Sequence, residues 1–254
     1  ITSTNGLSVG VAVSDTTATV TITRTGISTA LVQTIVDSMA YRNDSESPTG
    51  ASRTATLTAI RDSGGTSNGG VDSLSLSIAS TVTLVSINDA PTLSGGPYLM
   101  TGINEDIPST GVQINTVLAG MAYSDPDAGA LTGAAITATT GNGTWQFSLN
   151  GVTGWTAFGT LSNSTALLLT GTTFVRYTPD SANGETATFT LRAWDQTSGT
   201  ASSASTPRTG DTSIAGGSSA YSSGTATASL TVTNANDAPV LTAGSPTLTG
   251  LTDS

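Results

Sequence analysis

The sequence predicts an all-β chain of tandem β-sandwich domains joined end to end. Over most of the 254 residues, apolar and polar positions alternate with period two, as half-buried strands require. Two of these runs end in the same short acidic segment. One reads Ser86-Ile87-Asn88-Asp89-Ala90-Pro91-Thr92-Leu93; the other reads Thr233-Asn234-Ala235-Asn236-Asp237-Ala238-Pro239-Val240-Leu241. Their spacing is that of one domain plus its joint, and the whole chain is longer than one compact all-β domain usually needs.

Taken in order, Leu7–Val13 and Thr17–Thr23 alternate cleanly, with Asn5-Gly6 as a hairpin-turn signal before the first. Between Ala30 and Tyr41 the period changes. Leu31, Val32, Ile35, Val36 and Met39 fall at helical spacing, so a short amphipathic helix is expected there, N-capped by Ser28 or Thr29. Alternation resumes at Arg53–Arg61. A loop follows from Asp62 to Gly70, then Leu74, Leu76, Ile78, Val82 and Leu84 alternate into the first joint.

Beyond Pro91 the expected strands are Val112–Leu118, Thr144–Leu149, Ala166–Leu169, Phe174–Tyr177, Thr186–Asp195 and Ala226–Thr233, with hairpin turns at Asn142-Gly143, Asn150-Gly151 and Asn183-Gly184. The Ser/Thr/Gly/Ala stretch between Gln196 and Gly224 reads as an extended surface excursion or a mobile loop. The expected domains are residues 1–90, a larger one at 91–238, and the opening of a third, or an exchangeable strand, at 239–254.

Composition narrows function by exclusion. Only 9% of residues are charged, against about 25% in an average soluble protein. Serine, threonine and glycine take the surface positions, and all seven basic residues are arginine. A net charge of −10 gives no electrostatic case for nucleic acid or an anionic membrane, and no stretch is long enough for a membrane-spanning helix. With no cysteine there is no disulfide, zinc thiolate or cysteine nucleophile; with no histidine the usual general base is missing. A hydrolase would have to rely on carboxylates or unusual serine chemistry, so the expectation is a non-catalytic protein. The Asn-Asp pairs leave two readings open. They are either turns whose side chains satisfy local backbone donors, or oxygen ligands for a hard cation such as Ca²⁺.

Several motifs point to a family. In the first unit these are Tyr41-Arg42-Asn43-Asp44-Ser45 with Pro48, Arg53-Thr54-Ala55-Thr56-Leu57, Asp62-Ser63-Gly64-Gly65 and Asn88-Asp89-Ala90-Pro91. In the second they are Gly143–Leu149, Ala166–Leu169, Arg192-Ala193-Trp194-Asp195-Gln196 and Asn236-Asp237-Ala238-Pro239. The chain resembles the tandem cadherin-like modules of large bacterial surface proteins, including adhesins with RTX-type calcium-binding tails. That resemblance implies extracellular, cell-surface β-sandwiches with calcium at their joints. Asp125-Pro126-Asp127 looks like the family's Asp-x-Asp pair, and Asp195 like the acidic residue after the penultimate strand. By that pattern Asp125, Asp127 and Asp195 share a Ca²⁺ site with Asn88 and Asp89, while Glu105 shares another with Asn236 and Asp237. Alanine at 90 and 238 departs from the family's second asparagine. The first unit lacks an Asp-x-Asp pair and an early glutamate, as if the sequence opened inside that module.

Three functions follow as expectations. The first is an extender segment of a cell-surface adhesin. The second is a filament subunit whose identical copies join head to tail by strand complementation. The third is a module for a cell-surface glycan, with Trp145, Trp155, Trp194 and Tyr177 as a stacking platform. Ser148–Trp155 resembles a degenerate Asp-box hairpin and is read as structural. Asp125 and Asp127, two apart, suit a metal better than a glycosidase pair.

Overall fold

The computed structural model describes residues 6–45, 48, 52–204, 206–239 and 244. The chain divides into two compact units, Ile1–Ser86 and Ile87–Ser254. The Asn88-Asp89-Ala90 segment, expected to close the first domain, therefore belongs to the second. Asn5 of the first turn signal lies outside the described residues, as does the expected third opening beyond Pro239 except for Gly244.

In the first unit β1 (Ser8–Ser14) pairs antiparallel with β2 (Thr17–Thr23), and β3 (Ser52–Arg61) with β4 (Ser73–Thr83). The β1–β2 turn falls at Asp15-Thr16, with Asp15 in the left-handed region at φ 50°. Between the hairpins, α1 (Thr29–Asp37) starts as its sequence dictates: Ser28 is the N-cap, its Oγ accepting from the Leu31 N–H at 3.3 Å. The apolar face of α1 is only partly covered, with Leu31, Val32, Ile35 and Val36 half-buried. Among the described residues of this unit none is buried, and Val11, Val13, Val20, Leu74 and Ile78 are all more than half exposed. Two separate hairpins and a helix stand where a sandwich was expected.

The second unit has a true interior. Its short leading elements are β5 (Thr92–Leu93), β6 (Tyr98–Leu99), β7 (Ile103–Asn104), β8 (Val112–Gln113), α2 (Ile114–Gly120) and β9 (Tyr123–Ser124). The main strands follow as β10 (Gly133–Thr140), β11 (Thr144–Ser148), β12 (Thr156–Ala157), β13 (Ala166–Thr170), β14 (Phe174–Thr178), β15 (Glu185–Trp194), β16 (Thr209–Gly210) and β17 (Ala226–Thr233). The larger sheet runs β16-β13-β10-β15-β17, with β6 and β7 both parallel to β17; the smaller runs β12-β11-β14-β8. Between them lies one apolar core, in which Ile136, Leu167, Leu169, Phe189, Leu191 and Leu230 of the larger sheet meet Trp145, Phe147, Val175 and Tyr177 of the smaller.

Two expectations change here. The strand expected over Val112–Leu118 is a strand only as far as Gln113 and then turns into α2, because Ile114, Val117, Leu118 and Met121 recur at helical spacing and all four are buried. Asn142-Gly143 and Asn183-Gly184 are not hairpin turns. Each joins a strand of one sheet to a strand of the other, whereas Asn150-Gly151 does lie between the paired strands β11 and β12.

The described residues of the 196–224 stretch are held against the outer face of the larger sheet. Leu168 donates its N–H to Arg208 O at 2.9 Å and accepts from the Ser202 N–H at 2.9 Å. Thr212 N–H reaches Asn163 O at 2.7 Å, and the Trp194 indole N–H reaches Ser198 O at 2.7 Å. Beneath this cover Ala135, Ala166, Leu168, Trp194, Ala220 and Tyr221 form a second apolar cluster. That explains the unbroken Ala166-Leu167-Leu168-Leu169: a strand covered on both faces has no polar side to show.

Candidate functional site

The expected ligand residues fall into two groups, both inside the second unit. In the first, Asp195 follows directly on β15 and is 3% exposed. Its Oδ1 accepts from the Thr197 N–H at 2.8 Å and the Thr197 hydroxyl at 2.6 Å, and its Oδ2 accepts from the Asn88 amide at 2.9 Å. The same Asn88 amide also donates to Ser219 O at 3.2 Å. One residue on, the Asp89 N–H donates to Asp127 Oδ2 at 2.8 Å, and the Ala90 N–H to Gly217 O at 2.7 Å. Asp127 in turn donates its N–H to Asp125 Oδ1 at 2.9 Å, the Asx turn that an Asp-x-Asp spacing favours. Tyr123 closes the set by donating its hydroxyl to Asp125 Oδ2 at 3.3 Å.

Four backbone and amide donors thus fix residues 88–90 onto the second unit, and all five expected residues lie in one bonded neighbourhood. Its electrostatics are one-sided. The carboxyl of Asp125 is pushed up by its burial and by the charges of Asp127 and Asp195, against the opposing pull of the Asp127 N–H. The Tyr123 hydroxyl is also pushed up, by burial first and then by Asp125 and Asp195. Among the described residues no cationic side chain forms an ion pair with these carboxylates, and the salt bridge described is Arg42–Asp44.

The donor set suits calcium in kind. The Asn88 side-chain oxygen, the Asp89 carboxylate and the second Asp127 oxygen take part in no described hydrogen bond. Ca²⁺ takes six to eight oxygens from carboxylates, carbonyls and water, so a set made of these oxygens is the type it favours. Among the described residues, however, no three acidic side chains already stand close enough together to hold an ion.

The second group is built around Glu105, which is 0% exposed. Its N–H donates to Thr233 O at 3.1 Å, extending the pairing of β7 with β17, and its Oε1 accepts from the Ala235 N–H at 2.6 Å. Its Oε2 is buried without a hydrogen-bond partner, an arrangement that ordinarily costs stability. Asn236 and Asp237 are exposed, and neither bonds to Glu105.

The aromatic residues are placed differently from a stacking platform. Trp145, Trp194 and Tyr177 are 4%, 1% and 0% exposed. Trp155 is half-buried, with the Arg176 guanidinium 4.1 Å from its ring centroid. The Asp-box-like hairpin closes on itself: Asn150 Oδ1 accepts from the Val152 and Thr153 N–H groups, both at 2.9 Å. Asparagine thus does there what an aspartate would do.

Sequence reasoning did not find Tyr123, Thr197, Gly217 or Ser219. Tyr123 lies two residues before Asp125 on a strand of only two residues, too short to show a period. Gly217 and Ser219 sit in the 196–224 stretch, where composition carries no positional signal. No protein-family model, curated protein or solved structure matches the chain.

Proposed function

We propose that this chain is a non-catalytic, extracellular extender segment of a bacterial cell-surface adhesin, whose joints are stiffened by Ca²⁺. The observation that carries the reading is the seating of Asn88-Asp89-Ala90 among Asp125, Asp127 and Asp195. The segment that opens the second unit is pinned beside Asp125, Asp127 and Asp195, and among the described residues no cationic side chain pairs with these carboxylates. A divalent ion drawn in there would neutralise those charges and hold the segment still. Asn88, Asp89, Asp125, Asp127 and Asp195 would hold that ion. Glu105, with its orphaned oxygen, would offer a ligand to a second ion near Asn236 and Asp237. Extracellular modules bind calcium with Kd of roughly 0.1–1 mM, so several-millimolar calcium adds about 1–2 kcal/mol per site. That stiffens a joint without being needed to fold a domain.

Small-angle scattering in millimolar calcium and then in chelator tests this. The reading expects a longer maximum dimension and a less flexible profile with calcium. Superimposable profiles would remove the calcium-stiffened joint.

A second reading, a filament subunit completed by a neighbouring copy, is favoured by a different observation. The first unit buries none of its described residues and leaves apolar strand faces open. If residues 240–254 of one copy complete the first unit of the next, deleting them abolishes polymer formation. Polymers that persist in the truncated chain would reject this arrangement.

A further inference from the structure

We infer that Asn68 is a site of spontaneous deamidation and is the first of the four Asn-Gly pairs lying wholly within the described residues to convert. The sequence holds five such pairs, at Asn5, Asn68, Asn142, Asn150 and Asn183; Asn5 lies outside the described residues. The chemistry is the same at each. The backbone nitrogen of the glycine attacks the asparagine Cγ, a nitrogen–carbon bond forms, the Cγ–Nδ2 bond breaks, and ammonia leaves. Water then opens the resulting succinimide ring at either carbonyl, giving aspartate or isoaspartate. Two conditions govern the rate: the glycine N–H must be free to lose its proton, and the asparagine backbone must be free to turn its side chain onto that nitrogen.

In all three pairs of the second unit the glycine N–H is engaged by a residue outside the pair, and at Asn142 and Asn150 the asparagine is held as well. Gly143 donates its N–H to the buried Tyr177 hydroxyl at 2.6 Å, and the Asn142 N–H is held by Glu185 Oε2 at 2.8 Å. Tyr177 in turn donates to Glu185 Oε1, closing a ring of bonds around the turn. Gly151 donates to Ser148 Oγ at 3.2 Å while the Asn150 side chain is locked by the Val152 and Thr153 amides. Gly184 donates to Asn234 Oδ1 at 3.3 Å and packs tightly, since a Cβ there would lie 2.8 Å from Asn234 N.

Asn68 is placed otherwise. It sits in the Asp62–Asp72 loop between β3 and β4, in the left-handed region at φ 56° and ψ 30°, and is exposed. Its side chain makes no described hydrogen bond, and the Gly69 amide is engaged only within the single exposed 3₁₀ turn Ser67–Gly69, which can open without disturbing any buried residue. A Cβ on Gly69 would meet nothing within 4 Å, so water reaches the reacting atoms. No residue of the loop is buried, so the rotation needed for attack displaces no packed side chain. Conversion adds a third carboxylate to a loop that already carries Asp62 and Asp72, and makes the net charge of −10 one unit more negative.

The test is incubation of the whole chain at mildly alkaline pH with peptide mapping by mass spectrometry, alongside a synthetic peptide of residues 62–72. The expected result is conversion at Asn68 at a rate near that of the free peptide. Asn142 and Asn150 should be at least about tenfold slower, their opening being limited by the folded unit. In Asn68→Gln the early charge variant disappears while the slow sites are unchanged. Conversion at Asn142, Asn150 or Asn183 as fast as at Asn68 would overturn the inference. So would an intact Asn68 under conditions that convert the peptide.

Discussion

Replacing Asp195 with alanine is the sharpest perturbation of the network holding residues 88–90. The carboxylate accepts three hydrogen bonds, two from Thr197 and one from Asn88. Bonds to a charged acceptor contribute about 1.5–3 kcal/mol each, so roughly 5–9 kcal/mol of gross interaction is lost. Part of this returns, because burying a carboxylate to 3% exposure costs several kcal/mol and the variant no longer bears that cost. The exposed Thr197 donors rehydrate, but the half-buried Asn88 amide keeps only Ser219 O. A net loss of about 3 kcal/mol follows, which for a unit of this size lowers Tm by roughly 6–12 °C. The assay is calorimetric unfolding without calcium, with near-ultraviolet circular dichroism reporting on neighbouring Trp194. Asp195→Asn, which keeps the Thr197 acceptor, should lose about half as much. A Tm change within about 2 °C for the alanine variant would refute the reasoning, since it would mean the three bonds do not outweigh the desolvation.

Other outcomes follow from the same geometry. Asp125 is pushed up by burial and by Asp127 and Asp195, so the folded chain holds that proton to higher pH than the unfolded chain. Its contribution is complete below the unfolded value and is lost as pH rises through the folded one; in chelator, Asp125→Asn should flatten that part of the stability–pH curve and be the more stable protein at neutral pH. In calcium the order should reverse, and thermal melts under both conditions check it. Leu168→Ala removes a side chain buried beneath the 196–224 cover and should cost about 2–5 kcal/mol, with faster limited proteolysis inside that stretch. Glu105→Gln keeps an acceptor for the Ala235 N–H while neutralising the orphaned oxygen, so without calcium its stability should stay within about 1 kcal/mol of the parent chain by chemical denaturation.

The second unit's strands were legible where β-branched and large apolar residues alternate. The run Ala226–Thr233 coincides with β17, and Phe174–Tyr177 falls one residue short of β14. The central strand β10 was not legible. Gly133-Ala134-Ala135-Ile136 carries little strand preference, and only its place between β13 and β15, with Ala135 small enough to pack beside Trp194 and Leu168, makes it a strand. The two-residue strands β6, β7 and β8 are set by pairing with longer neighbours, β5 and β9 pair with each other, and none shows a period of its own. For the candidate site, the recurrence of Asn-Asp-Ala-Pro pointed to Asn88 and Asp89, while Asp125, Asp127 and Asp195 were named through the resemblance to cadherin-like modules. Their hydrogen-bond partners were not, because Gly217 and Ser219 belong to a stretch whose path depends on the apolar face of β13 beneath it. In the first unit alternation located the hairpins, yet it said nothing about whether their apolar faces would find a partner.

Calorimetric titration of calcium into the whole chain, beside the Asp125→Asn and Asp127→Asn double variant, bears most directly on calcium at the joint. The expected result is saturable binding with Kd of roughly 0.1–1 mM in the parent chain and loss of the tighter component in the variant. No binding heat and no change in Tm up to about 10 mM calcium would contradict it.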